Sequence, residues 1–271
     1  LYPDQPLGRP VLGDEETLRA VGVDDLIAFR ETHMSPERIV ISIAGAFDRE
    51  ALLQTAERRF GALARKPPQP FASALAHAAI VRETRKLEQT HLVLSWPAPA
   101  SGDEALYAAR VMTEILGGGM ASRLFQEVRE ARGLVYAIDA FLDTYEDVGR
   151  LIVYAGCSAK NAKPVADMVG AQIALMADRG PSAQELARAK AVSRAGLMMG
   201  AEAPSARAEA RAGQVYLRDK VCPFEELRAR IEAVTAEQVQ AAARAALAGP
   251  ICMAAIGPKA GLGLSKALRA E

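Results

Sequence analysis

Three histidines, three cysteines and one run of glycines are the residues whose types suggest chemistry. His33, His77 and His91 would make a catalytic metal site if two of them shared a helix face, because residues i and i+4 present their side chains together. No two lie four apart, and none has a neighbouring glutamate in the order needed to activate a bound water. They therefore read as structural or surface histidines, with His33 near a helix end, His77 in a connecting segment and His91 at a strand start. Cys157, Cys222 and Cys252 form an odd set without a C-x-x-C pair. That pattern fits buried thiols in a reducing compartment and points to the cytoplasm. Gly117-Gly118-Gly119 follows a helical pattern instead of a strand and lacks the lysine and hydroxyl residue of a phosphate loop. It reads as a helix break that permits close backbone approach. The charge-rich stretch 185–218 reads as a solvated helix face.

The bulk properties narrow the classes further. A length of 271 residues suits one large domain or two modest ones, and half of the residues are apolar. Lysine plus arginine total 33 and aspartate plus glutamate total 33, so no basic excess marks a nucleic-acid surface. The longest apolar runs, near 151–153 and 251–256, are far too short to cross a bilayer. No signal-peptide pattern opens the chain, and it begins with Leu1 instead of Met, which suggests an N-terminal portion lies upstream. Alanine is abundant and aromatics are 5 %, favouring helix.

Periodicity sets the elements. Residues 13–34 read as a helix with Leu18, Leu26, Ile27 and Phe29 buried, ended by Ser35-Pro36. Residues 38–44 (RIVISIA) read as a strand closed by Gly45, and Asp48 caps a helix reaching Phe60. The proline-rich stretch 66–81 reads as a linker. Beyond it come a strand at 91–96 (HLVLSW), helices at 103–116 and 122–131, and a hairpin of strands 134–142 and 150–157. An amphipathic helix carries Val165, Met168, Val169, Ile173 and Met176 to Gly180-Pro181. Ser182 with Glu185, and Thr235 with Gln238, are capping boxes, and the last strand is 251–256. Hairpins without strict β-α-β alternation indicate an α+β fold, a mixed and largely antiparallel sheet with helices on one face.

One pattern occurs twice. Residues 23–46 and 235–257 each run helix, proline break, apolar strand and glycine, and Gly45 and Gly257 lie 212 positions apart. If the copies are domains, the first is present only as its tail, and at least about 120 residues precede Leu1. The expected organisation is 1–65 as the remnant of a first domain, 66–81 as linker and 82–271 as a second domain.

Leu7-Gly8-Arg9-Pro10-Val11-Leu12-Gly13 with Glu15-Glu16-Thr17 resembles the segment that follows the third zinc ligand in insulinase/pitrilysin (M16) peptidases. Residues 119–130 (GMASRLFQEVRE) with 132–136 (RGLVY) resemble the most recognisable motif of that family's second domain. Ala189-Lys190 through Ser205-Ala206-Arg207 agrees as well, so the resemblance covers nearly the whole chain in order. It is nearest to the single-chain bacterial enzymes and the β subunit of mitochondrial processing peptidase. The resemblance implies Zn2+ in the parent protein, held by a His-x-x-Glu-His helix and a later glutamate that lie outside this chain. It also implies that Arg129 and Tyr136, seven positions apart, hold polypeptide substrate across the cleft from the zinc. A guanidinium offers fixed donors to peptide carbonyls, and a phenol can donate to an oxygen becoming negative. Without the resemblance, the favoured reading is that Arg129 complements its helix C-terminus and Tyr136 packs on the sheet.

Two functions follow from the resemblance. One is a portion of a zinc metalloendopeptidase that binds peptide or unfolded polypeptide along a sheet edge, inactive by itself. The other is a naturally non-catalytic subunit lending Arg129 and Tyr136 to a separate catalytic M16 chain. A scaffold subunit like those of respiratory complexes is a third reading, disfavoured by retention of both side chains. Exposed first-domain surface makes a homodimer or other self-association possible.

Overall fold

The computed structural model describes residues 1–66 and 71–258. Short helices α1 (Glu15–Ala20), α2 (Val23–His33) and α3 (Arg49–Phe60) come first, then strands β1 (Ala79–Thr84) and β2 (Thr90–Ala98). Helix α4 (Leu106–Gly117) leads to a π-helix (Phe125–Glu130), followed by β3 (Val135–Thr144) and β4 (Gly149–Cys157). Helices α5 (Ala162–Arg179), α6 (Ala183–Gly200), α7 (Pro204–Arg218), α8 (Phe224–Glu232) and α9 (Ala236–Ala248) precede β5 (Cys252–Gly257). Packing divides the chain into two compact units. The larger holds Leu1–Pro3, Ala74–Leu197 and the chain from Pro223 onward; the smaller holds Asp4–Ser73 and Met198–Cys222.

In the larger unit the strands form one sheet in the order β1-β5-β2-β4-β3. Among the described residues only β1 with β5 is parallel, and every other ladder is antiparallel. Alternation in β2 sends Leu92, Leu94 and Trp96 into the core with Leu151, Val153 and Ala155 of β4. Val111 and Ile115 of α4, Val165, Val169 and Ile173 of α5, and Val239 and Ala243 of α9 meet them. The helices therefore cover one face, and the sequence expectation of an α+β, largely antiparallel sheet is correct. The opposite face carries His91 and Val93 of β2, Ile152 and Tyr154 of β4, and Asp139 and Phe141 of β3, all of them partly or well exposed. Helix α4 reaches β3 closely because Gly117 has no side chain: a Cβ there would sit 2.5 Å from the Ala140 Cβ. Both capping boxes form, Thr235 with Gln238 and Ser182 with Glu185.

The smaller unit departs from the sequence expectations. The single helix expected over 13–34 is two, separated at Val21–Gly22, with Asp14 capping the first. Leu18, Leu26, Ile27 and Phe29 are exposed instead of buried. Residues 39–44 run extended but form no ladder among the described residues, so the expected strand is absent. A strand needs a partner for its backbone donors and acceptors, and β-branched composition alone supplies none. Ile41, Ile43 and Phe47 instead line a shallow cavity of about 250 Å3 with Leu52, Leu53 and Ala56 of α3. Asp48 does cap α3, accepting from the backbone N–H groups of Glu50 and Ala51. Residues 67–70 of the expected linker lie outside the described residues, and β1 begins at Ala79.

Candidate polypeptide-binding site

Arg129 and Tyr136 flank one turn of the larger unit, and that turn is held from several sides. The segment before it winds as a π-helix, with the Ala131 N–H donating five residues back to the Gln126 carbonyl at 2.9 Å. Such wide turns recur at functional sites because they re-aim a side chain. Leu124 and Val128 are fully buried and anchor its inner side. At its head the Arg123 guanidinium grips Glu185 through two bonds, 2.6 and 2.9 Å, and donates to the Gly180 carbonyl at 3.1 Å. At its tail Gly133 adopts φ +59°, where a glycine ends a helix without strain. The Gly133 N–H donates to the Arg129 carbonyl and the Leu134 N–H to the Val128 carbonyl. Arg132 closes onto Glu127, and the Asn161 side chain donates to the Leu134 carbonyl at 3.1 Å.

The two side chains themselves are open. Arg129 is exposed and lies with its guanidinium carbon 4.7 Å from the Phe125 ring centroid, a cation–π contact that steadies the head group. Tyr136 is 70 % exposed. It occupies a β-bulge: Val135 pairs with Cys157 and Ala137 with Gly156, leaving Tyr136 as the extra residue. A bulge tilts its side chain out of the regular pleat, and β3 is the sheet edge, paired with β4 alone among the described residues. Neither the Tyr136 hydroxyl nor the Arg129 guanidinium has a hydrogen-bond partner among the described residues, and they do not bond each other. Both polar groups are thus free to meet a ligand.

Tyr136 also lines a cavity of about 530 Å3 with Leu87, Glu88, Gln89 and His91. The His91 Nδ1 lies 2.8 Å from the Tyr154 hydroxyl. Reading His91 as a lone structural histidine missed its neighbours, although the sequence held the signal. Alternation in HLVLSW puts His91 opposite Leu92, Leu94 and Trp96, on the open face. Likewise, Val135 and Ile138 are both buried three positions apart, a phase slip that marks the bulge.

The remaining histidines sit apart. His33 stacks on Phe29 and meets an Arg38 guanidinium nitrogen at 3.2 Å, and His77 is exposed. Among the described residues no group of three or more His, Cys, Asp or Glu could hold a metal ion. The donor set among the described residues therefore does not fit a catalytic zinc. Cys157 and Cys222 are buried, Cys252 is half-buried, and none is in a disulfide. Burial pushes the Cys157 thiol above its ordinary range. Glu114, near the C-terminal end of α4, is raised by burial and then by the Asp139 charge. Among the described residues no helix is long and apolar enough to cross a membrane.

Comparison with known proteins agrees with this architecture. The profile of the M16 peptidase inactive domain matches residues 20–193. An uncharacterized zinc protease of Mycobacterium tuberculosis is 34 % identical over 265 residues, covering 95 % of this chain and 60 % of that protein. An uncharacterized zinc protease of Bacillus subtilis is 30 % identical over 258 residues, covering 95 % and 63 %. The crystal structure of an M16 inactive domain from Pseudomonas fluorescens superposes with TM-score 0.80 at 22 % identity, over 97 % of this chain and 64 % of that one. A chain of complex III2 from Candida albicans superposes with TM-score 0.83 at 17 % identity, over 94 % and 64 %. The chain belongs to the M16 peptidase family, and its matched region is that family's inactive domain. It spans about three-fifths of the length of the curated relatives it matches.

Proposed function

We propose that this chain is the polypeptide-holding portion of an M16 zinc metalloendopeptidase, with the zinc and its ligands supplied outside it. Residues 1–65 would be the tail of the zinc-bearing domain, 66–81 the connection and 82–271 the substrate-binding domain. The observation that carries the reading is the Tyr136 bulge: an exposed phenol without a partner, aimed off a sheet edge beside the Arg129 turn. In this role the Arg129 guanidinium donates to carbonyl oxygens of an extended polypeptide. The Tyr136 hydroxyl donates to the carbonyl oxygen that gains charge when water attacks. The free edge of β3 offers backbone donors and acceptors with little demand on sequence. Cysteines held outside any disulfide, two of them buried, support a reducing, cytoplasmic setting.

The full-length protein should cleave an internally quenched peptide, lose that activity to a chelator and regain it with zinc. The 271-residue chain alone should do none of this; chelator-sensitive turnover by it would overturn the metal assignment. Sequencing the gene upstream of Leu1 separates the enzyme from a non-catalytic partner subunit, which would lack a His-x-x-Glu-His segment there.

A further inference from the structure

We propose that His91, held by Tyr154, walls a subsite on the open sheet face that takes a polar side chain of the bound polypeptide. The proposal rests on the reading of Arg129 and Tyr136 as polypeptide-holding groups and adds a specificity determinant to it. The geometry starts from the register. Gly156 of β4 stands directly between His91 of β2 and Ala137 of β3. Strands lie about 4.8 Å apart, so His91 and the Tyr136–Ala137 bulge are separated by roughly 10 Å. Gly156 is buried, and the Gln89 side chain lies over it. A Cβ built there would meet nothing nearer than the Gln89 amide, at 3.2 Å.

The result is a trough with an imidazole wall at His91, a phenol wall at Tyr136, and Leu87, Glu88 and Gln89 completing its lining. Its volume of about 530 Å3 is ample for one side chain and the backbone that bears it. Tyr154 fixes the ring of His91 through Nδ1 at 2.8 Å and leaves Nε2 without a partner among the described residues. In either tautomer Nε2 then has one hydrogen bond to give or take. Glu88, Gln89 and the Tyr136 hydroxyl add further donors and acceptors around the same space. An apolar side chain entering it would strip water from these groups and pair none of them, whereas a polar one replaces the lost water bonds. Polar discrimination is thus built into the trough, and the tyrosine behind His91 orients the ring that performs it.

The test uses the full-length protein and a peptide series in which each position in turn is glutamine, lysine or leucine. At one position, His91→Leu should raise KM about tenfold for the polar peptides, with kcat within twofold and the leucine peptide unaffected. Tyr154→Phe should show a smaller change of the same pattern. Gly156→Ala is the independent variant, tolerated because only the flexible end of Gln89 must move. By pushing Gln89 into the trough it should raise KM for large side chains at that position and spare an alanine peptide. If His91→Leu and Gly156→Ala act equally on all peptides or on none, while Arg129→Ala and Tyr136→Phe still suppress turnover, the subsite is wrong and the wider reading survives. If those last two also leave turnover unchanged, both fall together.

Discussion

Single side chains decide how firmly the candidate site is held. Glu185 accepts two bonds from Arg123 and one from the Ser182 backbone, and these lower its carboxyl to about 2 from an ordinary 4.5, Arg123 contributing most. A depressed carboxylate stabilises the fold above its unfolded pKa and loses that contribution as pH falls through the folded one. The contribution of Glu185 is therefore complete above about pH 4.5 and disappears between 4.5 and about 2. It amounts to roughly 3 kcal/mol at most, because the pair retains some contact with solvent. Glu185→Gln should flatten the acid limb of the stability curve in that window, measured by urea unfolding at pH 5 and pH 3; an unaltered slope contradicts the role. Gly117 makes a steric claim of the same kind. Gly117→Val would drive its side chain into Ala140 and should destabilise by about 2 kcal/mol, read by denaturant midpoint. A neutral substitution would mean α4 does not fix β3 as described. At this scale the sequence was informative where chemistry is local: both capping boxes, the Asp48 cap and the Gly133 turn follow from residue type alone. It was silent on the grip of Arg123 on Glu185, which joins residues 62 positions apart.

Secondary structure was legible where an element finds a partner among the described residues. β2, β4 and β5 were readable from their apolar runs because each lies between or beside other strands of one sheet. The run at 38–44 has the same composition and forms no strand among the described residues. Gly45 and Gly257, which close the two similar endings, both take positive φ, 135° and 150°. The two endings therefore share a backbone feature, and the second alone has a sheet to join. Backbone amides of residues 39–44 should exchange with solvent freely in this chain. Under the proposed domain organisation they should become protected in the full-length protein. Hydrogen exchange read by mass spectrometry decides it, and equal exchange in both proteins would refute the missing partner. The π-helix was read as an ordinary helix because its winding leaves no mark in apolar spacing over six residues.

The whole molecule is uneven in how it buries its surface. Helices α1, α2, α3 and α7 bury no residue fully, and Leu18, Leu26, Phe29 and Phe60 are exposed. Apolar surface on this scale is usually covered by another protein surface. Sedimentation of the isolated chain should therefore show concentration-dependent self-association that the full-length protein lacks. A monomer at every concentration would mean that this surface tolerates water. In the larger unit the helices and one face of the sheet close a single core. That core holds the Arg129 turn and the Tyr136 bulge in place through Leu124, Val128 and Val135. The most direct test measures kcat/KM and bound zinc together for full-length Arg129→Ala and Tyr136→Phe. The proposed role predicts a loss of about 100-fold for each with zinc content unchanged. Undiminished turnover, or turnover lost together with the metal, would contradict it.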